Sequence, residues 1–314
     1  MLRDIPQAEA RAGIIAVIVG ISLLVVKFIA YYLTGSVAIF SDAMESIVNV
    51  LASLFAFYSL SLAHEPADKE HPYGHGKIEF FSAGFEGGLI LAAAIVIAVR
   101  TISVMIAGQI EVQKAGFGLI LVALAMVVNG GVGVFLIHTG QRKGSLTLEA
   151  DGHHLLSDAI TSIAVLVALA IVALTGWTCA DPIVALLMAV YIGYLGIRLL
   201  RRAGAGLMDR QDMADEVLLC QILDAHVGAC GKEPRICGYH KLRHRHSGRY
   251  HWVDFHIMVP WRLDIAHGHK IASTIEYEIE QAVGEGKASA HVEPCTDQKC
   301  PACAARPVSA SPAG

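Results

Sequence analysis

The chain has 314 residues, of which 54% are hydrophobic and 17% charged, and a formal net charge of −4. An ordinary soluble domain carries about 25% charged residues, and the slight acidity argues against the clustered basic surface that nucleic acid requires. No nucleophile with a base, phosphate loop or cofactor motif marks an enzyme, so no catalytic cofactor is expected.

The charges are unevenly placed. Residues 13–200 are dominated by long apolar runs, whereas Arg201 onward reads as water-soluble. A membrane helix needs roughly 20 mostly apolar residues. Six stretches meet that, at about 13–33, 37–62, 80–107, 116–139, 150–174 and 182–199. Residues 1–10 are polar and lack the pattern of a cleaved leader, so the first run is expected to remain as a helix. Short-loop cations set orientation. Arg3, Arg11, Lys69, Lys77, Arg142, Lys143, Arg198, Arg201 and Arg202 collect on one side, against Lys114 on the other and Arg100, expected inside the third helix, so both termini are expected in the cytoplasm.

After the last apolar run, residues 212–227 look helical, 239–245 and 250–259 look like strands around Ser247-Gly248, 265–283 is an amphipathic helix and 288–293 a last strand. That αββαβ order predicts a small α+β sheet with helices on one face. The expected division is a six-helix transmembrane domain over 1–208, a cytoplasmic domain over 209–295 and a disordered Cys-bearing tail over 296–314. Seven cysteines, an odd count, fit a reducing compartment better than a disulfide framework.

Ionisable groups inside membrane helices are expensive, so each is a functional candidate. The second helix carries Asp42, Glu45 and Asn49 in SDAMESIVNV, and the fifth carries Asp151, His153, His154 and Asp158 in ADGHHLLSDAITS. Spacings of three and four put Asp42, Glu45 and Asn49 on one helical face, and Asp151, His154 and Asp158 on another. Glu45, Asn49, His154 and Asp158 then offer three oxygens and one imidazole nitrogen, a mixed set that suits a divalent first-row metal. The plain alternative is a polar network that only ties helices together.

A second cluster, His64, Asp68, His71 and His75, lies in the connection after helix two. Nine of the 15 histidines fall in the soluble part. Alternation along a strand points His244 and His246 together, with His251 near them across the turn. Near the end, Cys295, Cys300 and Cys303 form a candidate thiolate site for a soft or borderline metal, and untethered thiols are the alternative.

These residues resemble the cation diffusion facilitators. The resemblance runs from about Gly13 to Pro294 and rests on GSVAIFSDAMESIVNV, HPYGHGKIE, ADGHHLLSDAITS and GLMDR. It implies six membrane helices, a cytoplasmic ferredoxin-like domain, a homodimer in a bacterial inner (plasma) membrane, and exchange of a divalent cation for protons. It also implies a transport site at Glu45, Asn49, His154 and Asp158, with Asp42 and Asp151 nearby. Relatives usually carry Asp or His and then Asp at the first two positions, so Glu45 and Asn49 depart from the common zinc pattern. Cobalt, nickel, iron(II), manganese and cadmium stay open beside zinc.

By the same resemblance Asp68, His71 and His75 form a loop metal site. His240, His256, His269, His291 and Glu293 form a cytoplasmic metal site at the dimer interface. Lys77 and Asp209 form a charge pair linking the two parts. The expected function is efflux of a divalent transition metal by alternating access, with a membrane-anchored metal sensor or binding protein as the alternative.

Overall fold

The apolar runs become helices α1 (Gln7–Thr34), α2 (Val37–Ala63), α3 (Ile78–Ala107), α4 (Phe117–Lys143), α5 (Leu146–Thr175) and α6 (Ala180–Leu207). This is a computed structural model, and the residues it describes are 6–34, 37–107, 117–177, 179–297, 300 and 303. The connection carrying Lys114 lies outside them. Several helices outrun the apolar stretches. α1 starts before Glu9, α4 ends at Lys143, α5 begins before Glu149, and α6 continues past Arg201 and Arg202. Apolarity ends where lipid ends, but the hydrogen-bond ladder continues into the polar zone.

Among the described residues, Gln7–Ile29, Ile78–Ala107, Ala123–Lys143 and Pro182–Leu207 are long and apolar enough to cross a membrane. Their outward faces carry exposed Ile18, Ile29, Val96, Val99, Leu187 and Val190, which suits lipid and not water.

The chain divides into two units, Met1–Leu207 and Met208–Gly314. In the first, α3 packs on α6 and α4 on α5. Both contacts run through glycine. A Cβ on Gly87 would lie 3.2 Å from the Gly196 carbonyl, and one on Gly152 would lie 2.8 Å from both the Gly133 carbonyl and the Ile137 nitrogen. Lipid gives helices no hydrophobic reason to associate, so close backbone approach through small residues supplies the contact. Gly152 also follows Asp151 and precedes His154, so this contact sets the height and rotation of the polar face of α5.

In the second unit Asp212 caps α7 (Met213–Ala225) by accepting from the Ala214 N–H at 2.8 Å. Strands β1 (Gly238–Ser247) and β2 (Tyr250–Val259) form an antiparallel hairpin around Gly248, whose φ of 62° favours glycine. α8 (Ile265–Val283) then crosses over to β3 (Gly286–Pro294), which pairs parallel with β2 in a sheet of order β1-β2-β3. Odd-numbered β2 residues, Val253, Phe255, Ile257 and Val259, pack with Leu219 and Leu223 of α7 and Ile275 and Ile279 of α8. Even-numbered ones stay on the uncovered face. A bulge between His240 and Arg243 shifts the β1 register by one residue, with Lys241 at φ 51°. A one-residue shift moves every following side chain to the other face.

Gly152→Ala is expected to force α4 and α5 apart, at a cost of about 1–3 kcal/mol, seen as a lower midpoint in thermal unfolding of detergent-purified protein. Gly131→Ala, where an added Cβ meets nothing within 4 Å, is expected to leave the midpoint unchanged.

Candidate functional site

Asn49 and Ser53 lie four residues apart on α2 and face Asp151, His154 and Asp158 on α5. The Asn49 Nδ2 donates to Asp158 Oδ2 at 2.7 Å, and His154 Nε2 donates to Asn49 Oδ1 at 3.1 Å. One turn away the Ser53 hydroxyl donates to Asp151 Oδ1 at 3.0 Å. His154 and Asp151 are buried, at 5% and 1% exposure, while Asn49 and Asp158 are half-buried. Asp42 and Glu45 belong to α2, but their side chains lie outside the described residues.

A further acid faces this site. Glu86 of α3 is fully buried, neither carboxyl oxygen has a hydrogen-bond partner among the described residues, and it lies within electrostatic range of His154, Asp151 and Asp158. A buried carboxylate with no partner is costly unless a proton or cation meets it. The pairing of residues four apart passed over Glu86, because it stands alone in SAGFEGGLI. Its signal was simply an acid in an apolar run. His153 points elsewhere, 3.8 Å from Glu149 in a cleft of about 300 Å³ that Arg198 and Arg202 also line. Glu149 in turn pairs with Arg202 at 2.7 Å.

In the connection before α3, the donor atoms of Asp68, His71 and His75 lie within 4.8 Å of one another. The backbone N–H of His71 donates to Asp68 Oδ1 and holds that carboxyl below its ordinary range. His64 does not join them; its Nε2 lies 3.3 Å from Glu9. Lys77 ends the same connection, directly before α3.

The second unit sorts its histidines onto two faces. On the uncovered face His240, His256 and His291 stand in one cross-strand row. Glu293 lies 3.1 Å from His240, 2.7 Å from His256 and 3.8 Å from His291. The hydrogen bond from His256 lowers the pKa of Glu293. His269, on α8, is exposed and lies in none of the candidate metal clusters among the described residues.

Beyond the bulge, His244 and His246 turn to the helix-covered face, where His251 joins them. His244 Nδ1 and His251 Nε2 are 3.0 Å apart, and His246 stacks on His251 with ring centroids at 4.1 Å. Asp215 of α7 meets His246 at 2.8 Å. Asp209 pairs with Arg245 at 3.0 Å. Finally Cys295, Cys300 and Cys303 gather with Cys237, which sequence reasoning left out. Of the segment expected to be a disordered tail, residues 296, 297, 300 and 303 are described and the others lie outside the described residues.

Residues 13–208 match the cation efflux transmembrane domain family, and residues 223–295 match the cytoplasmic domain of cation efflux proteins. The chain belongs to the cation diffusion facilitator family. It is 36% identical over 275 residues to an uncharacterized transporter of Synechocystis, sll1263, covering 87% of this chain and 86% of that protein. It is 30% identical over 287 residues to the cation-efflux pump FieF of Citrobacter koseri, covering 91% and 93%. With FieF of Klebsiella pneumoniae it shares 32% over 270 residues, covering 86% and 87%. The substrates of this family are cations, and the polar face between α2, α3 and α5 is a candidate site for one in the membrane unit.

The covered His cluster of this facilitator carries a pH dependence. Burial lowers His244 and pushes His251 down to about 4, whereas an unfolded-chain His titrates near ~6.5. The groups facing them are His246, Asp215 and, within electrostatic range, Asp212 and Glu216. Between those two pH values the unfolded chain binds the extra proton, so stability falls as pH drops from ~6.5 to about 4. We expect His251→Phe to flatten that slope in pH-dependent thermal unfolding of the full chain with chelator present. An unchanged slope would locate the dependence in other groups.

Proposed function

We propose that the protein exports a divalent transition-metal cation from the cytoplasm in exchange for protons, by alternating access. The observation that carries this is the hydrogen-bonded set Asn49, His154 and Asp158 with the buried Glu86, which has no hydrogen-bond partner among the described residues, inside helices with exposed apolar faces. All six helices cross the bilayer in this reading, with both termini cytoplasmic, and the αββαβ unit is ferredoxin-like. Glu45 joins Asn49, His154 and Asp158 as substrate ligands. Imidazole and carboxylates release protons when a metal enters and take them back when it leaves. Binding has to be selective yet weak enough for departure, which oxygen-rich ligation supports.

The same reading makes the protein a homodimer in a bacterial inner membrane. His269 reaches the His240, His256, His291 and Glu293 cluster when two chains meet. The Asp68, His71 and His75 loop holds a further metal. The substrate is one of zinc, cobalt, nickel, iron(II), manganese and cadmium. Asn49 removes one negative charge from the site relative to an aspartate, so zinc has no preference built into that position.

Metal uptake into inside-out vesicles with an imposed pH gradient tests this. Asp158→Ala is expected to abolish proton-coupled uptake while leaving metal bound by the cytoplasmic clusters. Normal metal tolerance in Asp158→Ala cells, with loss of function in His256→Ala, would instead identify a membrane-anchored sensor. Glu86→Gln is expected to lower flux roughly tenfold or more, since an interaction with a charged group is worth about 1.5–3 kcal/mol. Unchanged flux and pH profile in that variant would remove Glu86 from the site.

A further inference from the structure

The four cysteines at the end of the second unit come from two distant parts of the chain. Cys237 directly precedes β1, and its N–H donates to the Met258 carbonyl of β2 at 2.7 Å. Cys295 directly follows β3, and its N–H donates to the Val259 carbonyl at 2.8 Å. These two bonds fix both residues at the same end of the sheet. Beyond Cys295 the chain turns back, with Cys300 N–H donating to the Asp297 carbonyl at 3.2 Å and Cys303 N–H to the Cys300 carbonyl at 3.0 Å. The remaining two sulfurs lie with the first pair.

All four Sγ atoms lie within 4.8 Å of one another. A tetrahedral metal with bonds of about 2.3 Å to sulfur sets its ligands ~3.8 Å apart. Cys237 and Cys303 are 3.5 Å apart, far beyond the ~2.05 Å of a disulfide, so these are thiols. Cysteine also packs as a small hydrophobe, and that is the competing explanation. It predicts sulfurs dispersed among aliphatic side chains. Here Cys295 and Cys300, each 7% exposed, form a buried cluster, and the hydrophobic side chains packed on it among the described residues are Cys237 and Cys303. Four sulfurs that converge on one another are arranged as a ligand set.

We propose that Cys237, Cys295, Cys300 and Cys303 form a closed four-thiolate site for zinc(II), which fastens the segment after β3 to the start of β1. Four thiolates fill the coordination shell, so the ion is resident and has no open position for reaction or transfer. On binding, each thiol gives up its proton to solvent and each sulfur donates one electron pair to the metal. The site is separate from the His240, His256 and Glu293 cluster, and it stands whether or not the chain transports metal.

The test uses the full chain, purified in detergent and kept reduced. Replacement of the bound metal by cobalt(II) is expected to give an intense sulfur-to-cobalt charge-transfer band in the near ultraviolet, with tetrahedral ligand-field bands in the visible. Cys300→Ser is expected to lose most of that absorption and about one zinc ion per chain by elemental analysis. His240→Ala/His256→Ala and Cys220→Ser are expected to keep both. A wild-type protein with no charge-transfer band overturns the proposal, and that result does not depend on any variant folding. A Cys237–Cys303 disulfide in the freshly isolated wild type, found by mass spectrometry without reductant, overturns it in favour of a redox pair.

Discussion

Everything in the membrane unit turns on one amide. Asn49 gives its N–H to Asp158 and receives the N–H of His154, so a neutral side chain joins a carboxylate to an imidazole. An aspartate at that position has no N–H to give, and two facing carboxylates repel unless a proton or metal lies between them. The amide therefore lets α2 and α5 close on each other with no cation present. If the site takes a cation as proposed, entry is a competition, because the metal must break the hydrogen bonds that join Asn49 to Asp158 and His154. That would raise the cost of occupancy and ease release.

Glu86 offsets this loss of a carboxyl. Asn49 stands where an acid would on α2, and Glu86 brings a carboxyl in from α3, fully buried and without a hydrogen-bond partner among the described residues, where a proton or a cation can meet it. The packing that presents these faces is steric more than polar. Gly152 against Gly133 and Gly87 against Gly196 let backbones approach to distances that any side chain would block. Since Gly152 sits between Asp151 and His154, the glycine contact and the polar site are one structural device: contact on one face of α5 aims the ligands on the other.

Some of this was legible in the sequence and some was not, for identifiable reasons. The helices could be read because lipid demands continuous apolar length, yet their polar ends could not, since helical hydrogen bonding carries on beyond the membrane. The polar face of α5 followed from Asp151, His154 and Asp158 lying three and four apart, while of Asp42, Glu45 and Asn49 on α2 only Asn49 has a described side chain. Glu86 escaped that filter because it has no partner on its own helix. Cys237 escaped because Cys303, whose thiol lies 3.5 Å from its own, is 66 residues away, a pairing that only the fold creates. In β1, His240, His244 and His246 share parity and would share a face on a regular strand. The bulge at Lys241, which no simple pattern announces, sends His240 to the uncovered face and the other two under the helices.

The ligand types then divide the labour of the chain. A transport site must bind and let go, and a half-buried set of carboxylate, amide and imidazole exchanges its ion more readily than thiolates do. The uncovered His and Glu row is similar in kind and lies on an open face, where a second chain or free metal can reach it. Four thiolates at the sheet end hold an ion closed and permanent. The backbone bonds of Cys237 and Cys295 run to Met258 and Val259, and Met258 is the register partner of Glu293. A metal held by the thiolates would fix the strand ends beside the His and Glu row, so that the exchangeable site stands on an anchored frame. Soft ligands then act as structure and hard or borderline ligands as traffic, and the two uses of metal need not compete for the same ion.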